Sequence, residues 1–424
     1  SLACRIHNKS PEKYLRKIVD VVRSGMGFPA CHFDDTHIKM MLAKGVSVED
    51  ARDYCMMGCV EPQKSGKTDG WHDAAFFNMV RPLEMVFKNG VEDGEKVGPQ
   101  TGDVSEFDTF EEFYDAYKSQ SDYFVSLLVN ADNAIDVAHA ERCPLPFLSS
   151  MIEDCVKRGK SVQEGGAIYN FTGPQGFGIA NMADAMWAVK KLVFEDGKYT
   201  LPFIKEALDN NYGEDLDDQN AEKLTLTVCK RLAAEGKNLS ADDVKKIYET
   251  VKTNPCSEND KARYKSLLKD IQALPKYGND VKEVDEFARE IAYVYTKKLE
   301  TFRNPRGGRF QAGLYPVSAN VPLGAQTGAT PDGRLAFTPV ADGVSPAAGR
   351  DVKGPTAACN SVSTLDHFIA SNGTLYNMKF HPTALAGRNG LENFVSLVQG
   401  YFDRKGSHMQ FNVVSRETLR DAQK

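Results

Sequence analysis

The stretch Tyr54-Cys55-Met56-Met57-Gly58-Cys59-Val60-Glu61-Pro62-Gln63 constrains this chain more than any other. A glycine is followed by a thiol, one apolar residue, a carboxylate and a proline. Gly58 permits close backbone approach, and Pro62 is expected to stop regular pairing just beyond. In an extended backbone, Val60 would separate Cys59 from Glu61 so that both point to the same side. A thiol and a carboxylate would then face one small space from the tip of a loop. A Cys-x-Glu on its own is more commonly a buried structural cysteine beside an exposed glutamate. The wider sequence has to decide between the two.

The chain has 424 residues, 42% of them hydrophobic and 26% charged, a globular composition with room for one large domain or several ordinary ones. Its formal net charge of −6 argues against nucleic acid as the main partner. No apolar run approaches the length needed to cross a membrane. The start, Ser1-Leu2-Ala3-Cys4-Arg5, does not read as a signal peptide and, lacking an initiator Met, looks like the middle of a protein. The nine cysteines are odd in number and irregular in spacing, which fits a reducing cytoplasm and completes no zinc pattern. A C-x3-C-x2-C cluster for a radical-initiating iron–sulfur centre is also missing.

Periodicity and punctuation predict a helix over 10–25, a second from Phe33 through Met41, and a short capped helix from Ser47 leading into the Cys59 loop. An apolar helix is expected to begin in Gly70–Asn78 and to close at Asn89-Gly90. Residues 109–141 read as two helices, broken by Arg142–Pro146, with helix again over Met151–Val156. Glu164–Asn170 reads as a strand. The glycines 173, 176 and 178 that follow do not match the ordered dinucleotide fingerprint and lack a Walker lysine, so close backbone packing is the better reading. Residues 210–276 are charged and helical. Further on come a helix over 283–303, a strand over Gly313–Pro322, a turn at Thr330–Arg334, and loops at Gly343–Pro346 and Gly354–Thr356. Strands are expected over Leu375–Phe380 and His408–Val413, with a helix over Gly390–Tyr401 between them.

Gly58-Cys59-Val60-Glu61-Pro62 resembles the thiyl-radical loop of the glycyl radical enzymes, the pyruvate formate-lyase-like superfamily. Further resemblances follow in order at Gly165–Gly178, Pro331-Asp332-Gly333-Arg334, Gly354-Pro355-Thr356 and His408-Met409-Gln410-Phe411-Asn412. The resemblance implies an α/β fold, a ten-stranded barrel of two antiparallel five-stranded half-barrels wrapped by helices, here only partly present. It implies that 1–424 is part of that barrel domain, that 210–276 is a surface insertion, and that the glycyl radical domain lies after 424. An Arg-Val-x-Gly-Tyr motif, which carries the radical glycine in the family, does not occur in this sequence.

A single cysteine followed by Glu61 is similar to the eliminating lyases of that family rather than to pyruvate formate-lyase, which uses two adjacent cysteines. On that resemblance Cys59 and Glu61 are catalytic, and His72, Asp73, Val317 and Ser318 bind substrate. Asp73 is similar to the carboxylate that holds substrate hydroxyls in glycerol dehydratases. No metal and no bound cofactor are expected. The radical would reside on a glycine outside this sequence and be installed by a separate radical S-adenosylmethionine activating enzyme. A homodimer in the cytoplasm of an anaerobe, or within a bacterial microcompartment, is implied, with neither nucleic acid nor membrane as partner. The reaction expected is loss of water from a small 1,2-diol such as glycerol or propane-1,2-diol. The alternatives are sulfite loss from isethionate or 2,3-dihydroxypropanesulfonate, choline-type C–N cleavage, and a non-catalytic fragment.

Overall fold

The computed structural model describes residues 2–234 and 236–423. Its strands are short because turn residues interrupt every extended run. In chain order they are β1 (Ala3–Ile6), β2 (Ala30–Phe33), β3 (Cys55–Met57), β4 (Glu61–Gln63), β5 (Thr68–Trp71) and β6 (Phe76–Asn78). Then follow β7 (Val91–Glu92), β8 (Glu95–Lys96), β9 (Tyr169–Thr172), β10 (Gln175–Phe177), β11 (Arg309–Phe310), β12 (Asn377–Phe380) and β13 (His408–Val413). One mixed sheet has the order β1-β2-β13-β12, in which only β13 and β2 are antiparallel. A parallel sheet has the order β11-β9-β5, and β6 pairs in parallel with β10. β3–β4 and β7–β8 are antiparallel hairpins. This is mixed α/β architecture, and the described strands do not by themselves close into a ring.

Four segments lie side by side and hold the site. β5, a turn and β6 run parallel to β9, Gly173-Pro174 and β10. Residues 309–315 join next, through the Gln311 N–H to the Thr172 carbonyl and the Gly176 N–H to the Gly313 carbonyl. Asn372–Leu375 follow, with the Leu314 N–H on the Gly373 carbonyl and the Leu375 N–H on the Leu314 carbonyl. Behind these segments the helix Ile179–Val189 is wholly buried and apolar except for Asn181 and Asp184, which pair with Asp332 and the Tyr277 N–H. It packs against the helix Lys282–Leu299. Arg306, 2% exposed at its side chain, spans Asp136 and Asp69 and also donates to the carbonyls of Asp69 and Phe171. It thereby ties β5 and β9 to the helix Phe110–Arg142.

Several expectations are corrected. Residues 109–141 form one helix, Phe110–Arg142, opened by a Thr109–Glu112 capping box and unbroken because no Gly or Pro interrupts it. Helix over Met151–Val156 is replaced by Pro146–Met151 and Cys155–Arg158, with Asp154 at positive φ between them. Gly70–Asn78 is strand, turn and strand, and its helix starts only at Val80, because β5 and β6 find ladder partners in β9 and β10. Gly313–Pro322 makes only isolated bridges before the helix Asn320–Gly324. Pro316 and Pro322 lack a donor, and Val317 has φ +53°. Gly354-Pro355-Thr356 is the start of the helix Pro355–Ser363, with proline in its first turn.

Residues 210–276 contain the helices Asp218–Ala234, Ala241–Lys252 and Glu258–Ala273. The first two are mostly exposed. The third buries Tyr264, Leu267 and Ile271 in the main core, so only part of 210–276 lies at the surface as an insertion. Among the described residues no helix is long and apolar enough to cross a membrane.

Candidate active site

β3 and β4 form a hairpin whose tip is Gly58-Cys59-Val60. Met57 pairs with Glu61 and Met56 with Pro62, so Pro62 lies inside the edge strand instead of ending it. Gly58 adopts φ +64°, and a Cβ there would come within 3.0 Å of the Glu61 carboxylate. The backbone at Cys59 is therefore a turn, and the extended arrangement expected from the sequence does not occur. Val60 is fully buried against Tyr315 and Leu375, which anchors the tip. Gly373, at φ +97°, brings its Cα against the Val60 carbonyl, and a Cβ would sit 2.2 Å from that oxygen. Only glycine fits there.

The turn reverses the default for a Cys-x-Glu pair. Cys59 is exposed, and Glu61 is 1% exposed. The Glu61 carboxylate curls back so that Oε2 accepts the N–H groups of Cys59, at 2.7 Å, and Val60. Its Oε1 accepts the Tyr315 hydroxyl at 2.6 Å. Burial raises the Glu61 carboxyl above its ordinary value against the lowering effect of these bonds, the phenol's first. The Cys59 thiol is raised by partial burial and by the charges of Glu61 and Asp73. A raised thiol stays protonated near neutrality, which disfavours thiolate attack and suits hydrogen-atom exchange.

Asp73 lies in the turn between β5 and β6, exposed to solvent, and caps no helix. Its Oδ1 is 3.2 Å from the same Tyr315 hydroxyl. Partial burial raises its carboxyl, and the phenol's hydrogen bond works in the opposite direction. One phenol therefore joins the two carboxyls. Gln175 Nε2 donates to the phenol oxygen and to the His72 carbonyl. Burial raises the Tyr315 phenol well above its usual range, and the nearby carboxylates add to this, so it remains a neutral donor.

His72 is 2% exposed. Its Nδ1 is 2.8 Å from Asn372 Oδ1, and Nε2 is 3.1 Å from Gln63 Oε1. Asn372 Nδ2 donates to the carbonyls of His72 and Gly173, which makes its Oδ1 the acceptor for Nδ1–H. Burial lowers the ring to about 4, so it is neutral at pH 7. Neutral and with its proton on Nδ1, the ring offers Nε2 only as an acceptor, which requires the Gln63 amide to turn its NH2 toward it; with no charge to give, His72 locks the β5–β6 turn. Val317 and Ser318 are exposed and begin the turn into Asn320–Gly324. The structure thus joins Glu61 and Asp73 through Tyr315 and holds Cys59 to Glu61 by its backbone N–H, while His72 stands behind them as a support.

Sequence reasoning passed over Tyr315, Gln175, Asn372 and Gly373. Tyr315 stood two residues before the chosen Val317, the same-face spacing of a strand, and that parity could have found it. Gln175, Asn372 and Gly373 carry no local signal. Gly173 does: a Cβ there would meet Asn372 Nδ2 at 2.2 Å, the close packing expected of the glycine-rich segment.

The family model described as "Pyruvate formate lyase-like" matches residues 1–324, and the one described as "Glycine radical" matches 340–424. A solved structure entitled "1,2-propanediol Dehydration in Roseburia inulinivorans; Structural Basis for Substrate and Enantiomer Selectivity" is 55% identical with TM-score 0.89, covering 100% of this chain and 48% of that one. The glycerol-bound B12-independent glycerol dehydratase of Clostridium butyricum is 48% identical with TM-score 0.86, at the same coverages. The (2S)-3-sulfopropanediol dehydratase of Klebsiella oxytoca is 34% identical over 99% of this chain and 46% of its own length. The chain thus spans about half the length of these relatives. With a thiol held protonated beside a buried carboxylate, and both family models matched in order, the chain belongs to the pyruvate formate lyase-like glycyl radical enzymes.

Proposed function

We propose that the protein carrying this chain dehydrates a small 1,2-diol to an aldehyde by radical chemistry at Cys59. The observation that carries this reading is the pair of carboxyls, Glu61 and Asp73, joined through one phenol beside an exposed thiol. Identities of 55% and 48% to structures whose titles name propanediol dehydration and glycerol support it.

A glycyl radical, installed by a separate radical S-adenosylmethionine activating enzyme, supplies the unpaired electron. Cys59 Sγ then takes a hydrogen atom from a carbon bearing a hydroxyl, forming S–H as C–H breaks. The O–H of the resulting radical is far more acidic than an alcohol's, and Glu61 takes its proton. The neighbouring C–O bond breaks, and the departing hydroxide takes a proton from a raised carboxyl, for which Asp73 is the group in place. The remaining carbon radical recovers a hydrogen atom from Cys59. Diol becomes aldehyde plus water, with no net oxidation. Val317 and Ser318, on the exposed turn after Tyr315, bound the substrate space in this reading. The working protein is a homodimer in the cytoplasm of an anaerobe or in a microcompartment.

Product analysis tests the reading. The complete activated protein is given propane-1,2-diol, glycerol and 2,3-dihydroxypropanesulfonate in turn. Aldehyde from a simple diol is expected. Sulfite from the sulfonate, with the diols inert, would replace this reading by C–S cleavage.

A further inference from the structure

The dehydration cycle ends with a proton in the wrong place. Glu61 has gained one from the substrate hydroxyl, and Asp73 has given one to the departing water. Each must be reset before another turnover. Asp73 is exposed, whereas Glu61 is 1% exposed and its Oε2 is occupied by two backbone N–H groups. A proton on Glu61 has no open route to solvent once substrate covers Oε1. Its hydrogen-bonded side-chain neighbour is Tyr315, and Tyr315 also reaches Asp73.

We propose that Tyr315 is the proton outlet of Glu61, passing each proton taken from substrate across its phenol oxygen to Asp73. This deepens the diol-dehydratase reading and rests on it for the roles of the two carboxyls. The hydrogen-bond inventory around the phenol oxygen accommodates both end states. A tyrosine hydroxyl donates once and accepts twice. Before reaction it donates to Glu61 Oε1 at 2.6 Å and accepts from Gln175 Nε2, and with Asp73 in its acid form, as the proposal requires, it also accepts across the 3.2 Å contact to Asp73 Oδ1. All three valences are used, Glu61 is the base and Asp73 the acid. After reaction Glu61 is protonated and Asp73 ionised. The phenol then accepts from Glu61 and Gln175 and donates to Asp73. Restoration breaks the Glu61 O–H and forms a bond to the phenol oxygen while the phenol's own O–H passes to Asp73. No charge appears on the phenol, which suits a group whose ionised form is strongly disfavoured by burial. Gln175 donates throughout and holds the phenol oxygen at the midpoint.

The test uses the complete activated protein with propane-1,2-diol. Tyr315→Phe removes the outlet and leaves the thiol, the base and the acid. The expected result is normal radical content by EPR and a burst of about one aldehyde per radical. A steady rate lower by about tenfold or more should follow, since proton transfer by a placed group contributes about 10²–10⁴-fold. A merely structural tyrosine would slow the burst and the steady phase alike. Steady turnover by Tyr315→Phe within about twofold of the parent would overturn the relay, and so would loss of the burst. Asp73→Asn, which removes the donor of the first turnover, should abolish the burst, and a retained burst would overturn Asp73 as terminus.

Should Tyr315→Phe fail to fold, the unaltered protein provides the measurement. Two protons moving in concert give a curved dependence of rate on deuterium fraction in mixed H2O and D2O, and a straight line would count against the relay. If the parent ignores diols but cleaves a hydroxyalkylsulfonate, the diol reading fails. The burst and the isotope dependence are then read with that substrate, because Glu61 must still discharge its proton.

Discussion

Replacing Glu61 by glutamine separates its chemistry from its place in the hairpin. The amide oxygen can take over the two N–H bonds of Cys59 and Val60 that Oε2 accepts. The amide NH2 then faces Tyr315, whose oxygen accepts it, while the phenol proton turns to Asp73 at 3.2 Å. Every buried partner stays paired, so folding stability should change by about 1 kcal/mol or less. Basicity is lost altogether. A placed general base contributes about 10²–10⁴-fold, or about 3–5 kcal/mol of barrier, so kcat and kcat/KM should fall together by that factor while radical content is unchanged. A second readout needs no turnover. The Glu61 charge helps hold the Cys59 thiol above its ordinary value. Glu61→Gln removes that charge, so the thiol ionises more easily and the pH midpoint of Cys59 alkylation moves down. Turnover by Glu61→Gln within about threefold of the parent, with diol as substrate, would refute the assignment of the base. An alkylation midpoint that stays put or rises would refute the electrostatic reasoning.

Three further outcomes are expected. Gly373→Ala should lower stability by about 2–5 kcal/mol in urea unfolding, combining left-handed backbone strain with overpacking against the Val60 carbonyl, and an unchanged midpoint would contradict the close approach. Arg306→Met should cost about 3–5 kcal/mol by leaving buried Asp136 and half-buried Asp69 without their counter-charge, as read by the same method. The pH–rate profile should show no limb at the ordinary imidazole value of 6.5 arising from His72, because burial keeps that ring neutral down to about 4. A limb near 6.5 that disappears in His72→Gln would instead give His72 an acid–base role.

The legible parts of the sequence were those in which a local constraint dictates a local result. The capping residue Ser47, whose side chain accepts the Asp50 N–H, marked a helix start. Gly58 and the Cys59–Glu61 spacing marked the loop and its two functional groups. Partners brought together by non-local pairing were not legible. Nothing near Asp73 in the chain announces that a tyrosine 242 residues away lies on its carboxyl. β5 and β6 looked like the start of a helix because their ladder partners come from residues 169–177. The inversion at the hairpin tip, with thiol out and carboxylate in, was decided by tertiary contacts as well. Gly373 and Leu375 fix Val60, and the turn that follows swings Glu61 under its own backbone. The sequence by itself determined which chemical groups this protein can use and where the locally capped helix after Ser47 begins. The tertiary structure decided which groups share protons, because sharing one requires a separation of about 3 Å and that distance is set by the packing of segments hundreds of residues apart.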